Sequence, residues 1–267
     1  MRIATFNMWN HPPTLTARLE AICRVLRGVR ADVIALQEVP LAKAPNGQSF
    51  IEFIAGQCGY DHTFFQGYPG EEEGLGLISR TPIQEVEFAA DGVPFIASGG
   101  IRAVTEIEGL KVGITNVHLD WQSALSREQQ IVAIVEGIEQ GASAAQIEFL
   151  CGDFNSLPYT SSVYNFLTGQ QSLAGKATSW IDLAALYAGA DGREPEATLN
   201  FANNPWLQNR DRLNAWRQPY RFDWVLLKSL YPREEPVLKH AGIFGGARDG
   251  QEFPPSDHYG VVAEVSW

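Results

Sequence analysis

The chain has 267 residues, 45% of them hydrophobic and 19% charged, with a net charge of −11. This composition is globular rather than disordered and is enough for a large core. The acidity disfavours non-specific binding to nucleic acid, which needs a basic surface, although a bound divalent cation would add positive charge where it matters. Cys23, Cys58 and Cys151 are odd in number, apolar in surroundings and unrelated in spacing, which argues against a disulfide framework or a zinc site. No apolar run approaches the ~20 residues of a membrane span. The first residues already read as a strand and not as a leader, so a cytoplasmic location is expected.

In chain order, residues 2–9 alternate and read as a strand ending at Asn7. Leu15, Leu19, Ile22, Val25, Leu26 and Val29 recur at helical spacing, with Thr14 or Thr16 as the cap. Asp32 to Glu38 reads as a buried strand, 48–58 as a helix ended by Gly59, and 62–66 as a short strand. Residues 74–80 form a strand that Pro82 turns into another at 83–88. Residues 101–108 and 111–118 form a hairpin across Gly109. Ser126 and Gln129 suggest a capping box before a helix carrying Ile131, Ile134, Val135 and Ile138. Ile147 to Cys151 is a buried strand and 160–168 a helix. Strands at 222–228 and 259–266 finish the fold. Residues 187–220 are the least regular, too long for a bare connection, and such loops are usually functional. Strands and helices alternate without a clean βαβ repeat. No internal repeat, low-complexity tract or linker interrupts the chain, so residues 1–267 read as a single domain.

Polar groups gather at the ends of these apolar runs. Asn7 and Glu38 end two strands and offer the oxygen ligands that magnesium prefers. Asp153 and Asn155 follow a buried strand within Gly152-Asp153-Phe154-Asn155, where an Asp could deprotonate water and an Asn bind that water or a phosphate oxygen. Asp223 and His258 suit an imidazole held in one tautomer by a carboxylate, with Asp257 adjacent as a metal or metal-water ligand. His118 ends a strand and could donate to a phosphoryl oxygen or leaving group. Asn116, two residues back, points to the same face. Taken singly, Asn7, Glu38, Asp153 and Asn155 are ordinary turn or surface residues and His118 an ordinary structural histidine.

Taken together and in this order, Thr5-Phe6-Asn7, Leu36-Gln37-Glu38, Asn116-Val117-His118-Leu119, Gly152-Asp153-Phe154-Asn155, Arg221-Phe222-Asp223 and Ser256-Asp257-His258 resemble the endonuclease/exonuclease/phosphatase superfamily. Arg102 stands where related chains often carry an arginine. The resemblance implies an α/β fold of the deoxyribonuclease-I type. That fold is a four-layered α/β/β/α sandwich, two mixed sheets face to face with helices outside and the site at one end. It implies Glu38 as the principal metal ligand with Asn7 close by, Asp153 activating water with Asn155 as its partner, and Asp223–His258 stabilising phosphate. Asp257 would help at the metal, and His118 would contact phosphate or leaving group. The cofactor implied is Mg2+, with Mn2+ as a substitute.

The substrate expected is a phosphate ester, and specificity is left to the loops. Residues 200–224 interleave Phe201, Trp206, Trp216, Tyr220 and Trp224 with Arg210, Arg212, Arg217 and Arg221. Trp206 and Trp216 are candidates to stack on a flat group, and the same rings would equally pin a long loop to the core. Glu71-Glu72-Glu73 reads as a solvated loop. The reading favoured is a metal-dependent phosphodiesterase for a small or lipid-head-group phosphate. A nuclease is the alternative, and a non-catalytic phosphate-binding protein is the reading from another class. No protein partner is inferable.

Overall fold

In a computed structural model, residues 1–87, 99–140, 144–208, 218–246 and 254–267 are described. Two six-stranded mixed sheets lie face to face. The first has the order β11-β12-β1-β2-β4-β3 and the second β5-β6-β7-β8-β10-β9. The first-sheet strands are β1 Arg2–Asn7, β2 Val33–Pro40, β3 His62–Gly67, β4 Glu73–Ser79, β11 Val237–Phe244 and β12 Gly260–Ser266. The second sheet comprises β5 Ile83–Glu87, β6 Gly100–Ile107, β7 Leu110–His118, β8 Ile147–Asp153, β9 Trp180–Asp182 and β10 Asp223–Lys228. Strand alternation sends Ile3, Ala35, Leu77, Ile114, Phe149, Val225 and Val261 into the layer between the sheets.

The outer faces carry the helices. Leu15, Leu19, Ile22 and Leu26 of α1 (Pro12–Val29) and Ile51 and Ile54 of α2 (Phe50–Cys58) bury Phe6, Ile34 and Leu36 of the first sheet. Ile131, Ile134 and Ile138 of α3 (Ala124–Gln140) and Phe166 and Leu167 of α4 (Ser162–Leu167) cover Val117, Leu150 and Trp224 of the second. The result is the expected α/β/β/α sandwich. Leu183 and Ala184 of α5 (Leu183–Ala190) join the layer between the sheets. A short α6 (Pro205–Gln208) completes the set. Among the described residues no helix is long and apolar enough to cross a membrane.

Each sheet contains one parallel pair joined by a helix: β1-α1-β2 and β7-α3-β8. Each pair is flanked by an antiparallel strand on one side and two on the other, if the edge strands β11 and β5 are set aside. The two halves therefore repeat one topology that the sequence hides. The site forms at the C-terminal ends of both parallel pairs, where ligands commonly bind in α/β sheets.

Several caps differ from expectation. Neither Thr14 nor Thr16 caps α1: its N-cap is His11, with no side-chain cap bond, and Pro12 opens the first turn. Proline suits that position because its missing N–H would have had no helical partner. Ser126 lies inside α3, and the Ser123 hydroxyl accepts from its amide instead. Ser49 and Glu52 form a capping box on α2 that the sequence reading did not name, and Gly59 ends that helix in the left-handed region as expected.

Candidate active site

Asn7 at the end of β1 is fully buried. Its Nδ2 donates to Glu38 Oε1 at 3.0 Å and to Asp153 Oδ2 at 3.1 Å, while its Oδ1 accepts from the Trp9 amide at 2.9 Å. One amide from the first sheet thus holds two carboxylates, one from each sheet. Glu38 is aimed by a bulge: the register of β2 on β4 shifts between Leu36 and Val39, and Glu38 has φ 53°. A bulge redirects one side chain without ending the strand, and a left-handed non-glycine is strain kept by its surroundings. The Asn10 amide donates to Glu38 Oε2 at 2.8 Å.

Asp153 ends β8 opposite His118 at the end of β7. Its Oδ1 accepts from the Asn155 amide at 2.9 Å, and its Oδ2 is 3.8 Å from Nε2 of both His118 and His258. Asn155, at φ 46°, donates through Nδ2 to the Leu119 carbonyl, which ties the β8 loop to the β7 loop. Gly152 makes this junction feasible. It has φ 141°, and a Cβ there would sit 1.9 Å from the Val117 carbonyl oxygen.

His258 Nδ1 lies 2.9 Å from Asp223 Oδ2. Burial opposes the imidazolium, but the carboxylates of Asp223 and Asp153 outweigh it and push the ring up to about 10. The pair therefore presents a cationic ring, with Nε2 turned toward Asp153. Asp223 is positioned by Thr198, whose hydroxyl accepts from the amides of Phe222 and Asp223. Asp257 is buried beside Ser256, and Asn204 Nδ2 holds the carbonyls of both at 3.0 Å.

Three groups were missed as site residues. Glu73, part of a run that reads as a solvated loop, is half-buried, and ligand atoms of Glu38, Glu73 and His118 all lie within 4.8 Å of one another. Burial, then the nearby Glu38 carboxylate, raises its pKa. Its signal was indirect, since Glu73 pairs with Pro40 across the strand from the Glu38 bulge. Tyr68 has a buried hydroxyl with no partner among the described residues, and its ring is 6.4 Å from that of His118. Burial and then the charges of Glu73, Asp153 and Glu38 hold that hydroxyl protonated. Arg18 sits beneath the loops, donating to the carbonyls of Met8, Trp9 and Pro255. Burial lowers it to about 10, against the pull of Asp257 and Glu38. Nothing in a helical repeat marks such an arginine as a clamp.

The substrate-binding expectations need correction. Asn116 does not face a substrate: it is fully buried between the sheets, donating to the Leu36 and Gly76 carbonyls and accepting from Gln37 Nε2 at 2.6 Å. Its polar groups are spent joining the two sheets. Arg102 is likewise buried, with Nη2 2.5 Å from Glu148 Oε1. The intervening Gly113 leaves the space, because a Cβ there would be 2.1 Å from Glu148 Oε2. Trp206 donates from Nε1 to the Pro254 carbonyl and packs on Trp9 at 5.5 Å, which is the pinning role the sequence allowed. Trp216, with Arg210, Arg212 and Arg217, lies outside the described residues.

The donor set fits a divalent cation. Glu38 and Glu73 bring carboxylate oxygens, with His118 beside them, and hard cations prefer oxygen ligands. A second set, Asp153, Asp223 and His258, is more deeply buried, with only His258 keeping some exposure, and is already tied by its own hydrogen bonds. A cavity of about 590 Å3 lined by Leu110, Ile147, Leu230 and Trp267 opens at the other end of the second sheet and contains none of these groups.

Residues 4–258 match the endonuclease/exonuclease/phosphatase family. The chain belongs to that family. Its fold is one of metal-dependent phosphoesterases and nucleases, and its members are generally hydrolases of phosphoester bonds. Among solved structures, D. rerio TDP2 complexed with a single-strand DNA product is 17% identical, with a TM-score of 0.73 over 100% of this chain and 99% of that one. A family protein from Bacteroides vulgatus has a TM-score of 0.72 at 17% identity over 99% of this chain and 98% of that one. Another from Leptotrichia buccalis has 0.68 at 17% identity over the whole of both chains. At such identities these neighbours speak to the fold. No curated protein matches the chain.

Proposed function

We propose that this protein is a divalent-metal-dependent phosphodiesterase in which water attacks phosphorus, with Mg2+ as the cofactor and Mn2+ as a substitute. The observation that carries the reading is the meeting at Asp153 Oδ2 of the Asn7 amide at 3.1 Å and of two imidazole nitrogens at 3.8 Å. Asp153 is the base that orients and deprotonates the water, kept in place by Asn7 and the Asn155 amide. His258, cationic through Asp223, balances charge growing on the phosphoryl oxygens, as preorganised donors do in water-poor sites. His118 faces the same carboxylate from the second sheet and serves phosphate or leaving group. Glu38 is the principal metal ligand, with Asp257 assisting from the neighbouring loop. When bound, the cation supplies Lewis-acid polarisation of a phosphoryl oxygen.

The substrate we favour is small, or a lipid head group. The net charge of −11 and the run Glu71-Glu72-Glu73, of which Glu73 lies beside Glu38 and His118, oppose a long polyanion. Action on nucleic acid is the second reading, favoured by the DNA product bound to the structurally similar TDP2. The test is hydrolysis of bis(p-nitrophenyl) phosphate with magnesium, manganese or chelator. Glu38→Gln should lower the rate by several powers of ten, as loss of catalytic groups does. Full turnover in excess chelator would overturn the metal assignment. A steep fall of affinity with salt would favour the nucleic-acid reading.

A further inference from the structure

A cavity of about 450 Å3 adjoins the site on the second-sheet side, between the start of α3 and the loop after β8. It begins where the catalytic groups end. Asn155, whose amide binds Asp153, lines it, and so does Phe222, next to Asp223. Three observations give it a chemical character. Among the described residues Arg127 is the one charged residue lining it, on a chain whose net charge is −11. Arg127 stands in the first turn of α3, which has no acidic residue, and there the helix dipole disfavours a cation. An anionic ligand would offset that cost. Arg127 is also held in place, since Nη1 donates to the Asp120 carbonyl at 2.9 Å, and a guanidinium has four further N–H donors.

The third observation is Ser156. It is 3% exposed and lines the cavity, and its hydroxyl has no partner among the described residues. Buried hydroxyls are usually satisfied, so one that is not calls for an explanation. A turn of its side chain toward the cavity would break no bond of that hydroxyl. Ser161 and Ser162, by contrast, are engaged with Leu157 and Glu128.

We propose that this cavity is a substrate subsite for a second phosphate, carried on the organic group esterified to the scissile one. Arg127 binds that phosphate, joined by the Ser156 hydroxyl once its side chain turns from its buried position toward the cavity, and Leu157 and Phe222 receive the carbon skeleton. A volume of about 450 Å3 exceeds what a lone phosphate fills and suits a phosphorylated nucleoside or polyol. This rests on the phosphoesterase reading of the adjoining site.

The test uses matched pairs of p-nitrophenyl phosphodiesters, differing only in a second phosphate. One pair is built on thymidine with and without a 3′-phosphate, the other on a polyol with and without a terminal phosphate. The parent enzyme should prefer the doubly phosphorylated member of at least one pair, and the pair that responds identifies the source. Arg127→Gln should cut that preference ratio about tenfold, the usual loss of a charge-assisted hydrogen bond, with Arg127→Lys intermediate. A ratio near one for both pairs in the parent, or a ratio unaltered by Arg127→Gln, overturns the subsite. If no diester is turned over at all, the hydrolase reading falls instead. The subsite is then judged by calorimetric binding of adenosine 3′,5′-bisphosphate to the metal-free protein. About tenfold weaker binding to Arg127→Gln supports it, and equal binding or none to either protein overturns it.

Discussion

Replacing Gly152 by alanine tests how the fold makes the site. The added Cβ would stand 1.9 Å from the Val117 carbonyl oxygen and 2.8 Å from two other backbone atoms of Val117. Backbone in a paired strand cannot yield as the tip of a flexible side chain can. At φ 141° an L-residue is also strained, at about 1–3 kcal/mol. Relief requires parting β8 from β7 where Gly152 faces Val117, with loss of a ladder hydrogen bond worth about 1 kcal/mol. The sum, about 2–4 kcal/mol, is a sizeable share of a typical domain stability of ~5–15 kcal/mol. The displacement lands one residue from His118 and Asp153, which face each other in the same register. Guanidinium unfolding should therefore show a lower midpoint with an unchanged slope, and magnesium-dependent diester hydrolysis should drop even where the variant is fully folded. An alanine variant with the parent midpoint and the parent rate would refute the claim that this close approach sets the site.

Other perturbations probe different supports. His258 is raised from its ordinary value near 6.5 to about 10, so metal-free protein gains stability from its proton below about pH 6.5 and loses it progressively up to about pH 10. Asp223→Asn should bring the imidazole titration down, as read by NMR in chelator, and flatten that slope; an unmoved titration would break the pairing. Arg221 makes a bidentate, buried pair with Asp182, at 3.2 and 2.6 Å, so Arg221→Ala should cost about 3–5 kcal/mol in chemical denaturation. A loss under 1 kcal/mol would show that water replaces the guanidinium. Tyr68→Phe removes a buried, unpartnered hydroxyl and should leave the unfolding midpoint equal or higher while turnover falls. Unchanged turnover would mean that this hydroxyl does not serve the substrate.

What could be read from the chain divides along physical lines. The outer helices and central strands were legible because burial on one or two faces writes a period into the sequence. Leu15 to Val29 and Ile147 to Cys151 are such runs. β9, α5 and β11 were not. Trp180–Asp182 is three residues long, and Val237–Phe244 is an edge strand in which only Ala241 is buried and whose register shifts between Leu238 and His240. A half-solvated edge needs no hydrophobic alternation, so there is none to read. The described part of 187–220 is less irregular than expected, with the end of α5, the short α6 and a bridge between Leu199 and Tyr220, and its purpose was not legible either. Thr198 and Asn204, which hold Asp223 and the Ser256–Asp257 backbone, have no feature to distinguish them from other polar loop residues.

The same division explains why Asn116 and Arg102 misled the reading while Glu73 and Tyr68 escaped it. A polar residue beside a motif can serve the ligand or the scaffold, and the sequence carries the residue without the partner that decides. Asn116 has three buried partners from the opposite sheet, which use its amide fully, and Arg102 is buried against Glu148, away from any surface a substrate could reach. Tyr68 has the reverse condition: a buried hydroxyl without a protein partner, beside carboxylates it cannot lose a proton to. Hydrogen-bond accounting therefore sorts structural from functional polar residues more sharply than proximity to a motif. It separates the scaffold amide of Asn116 from the Tyr68 hydroxyl, whose part in turnover the Tyr68→Phe variant tests. Gln37 Oε1 and Thr115 Oγ1 also lack a partner among the described residues, so a missing partner points to a ligand only where a cavity adjoins it, as it does at Ser156, and the subsite of Arg127 and Ser156 stands on that conjunction.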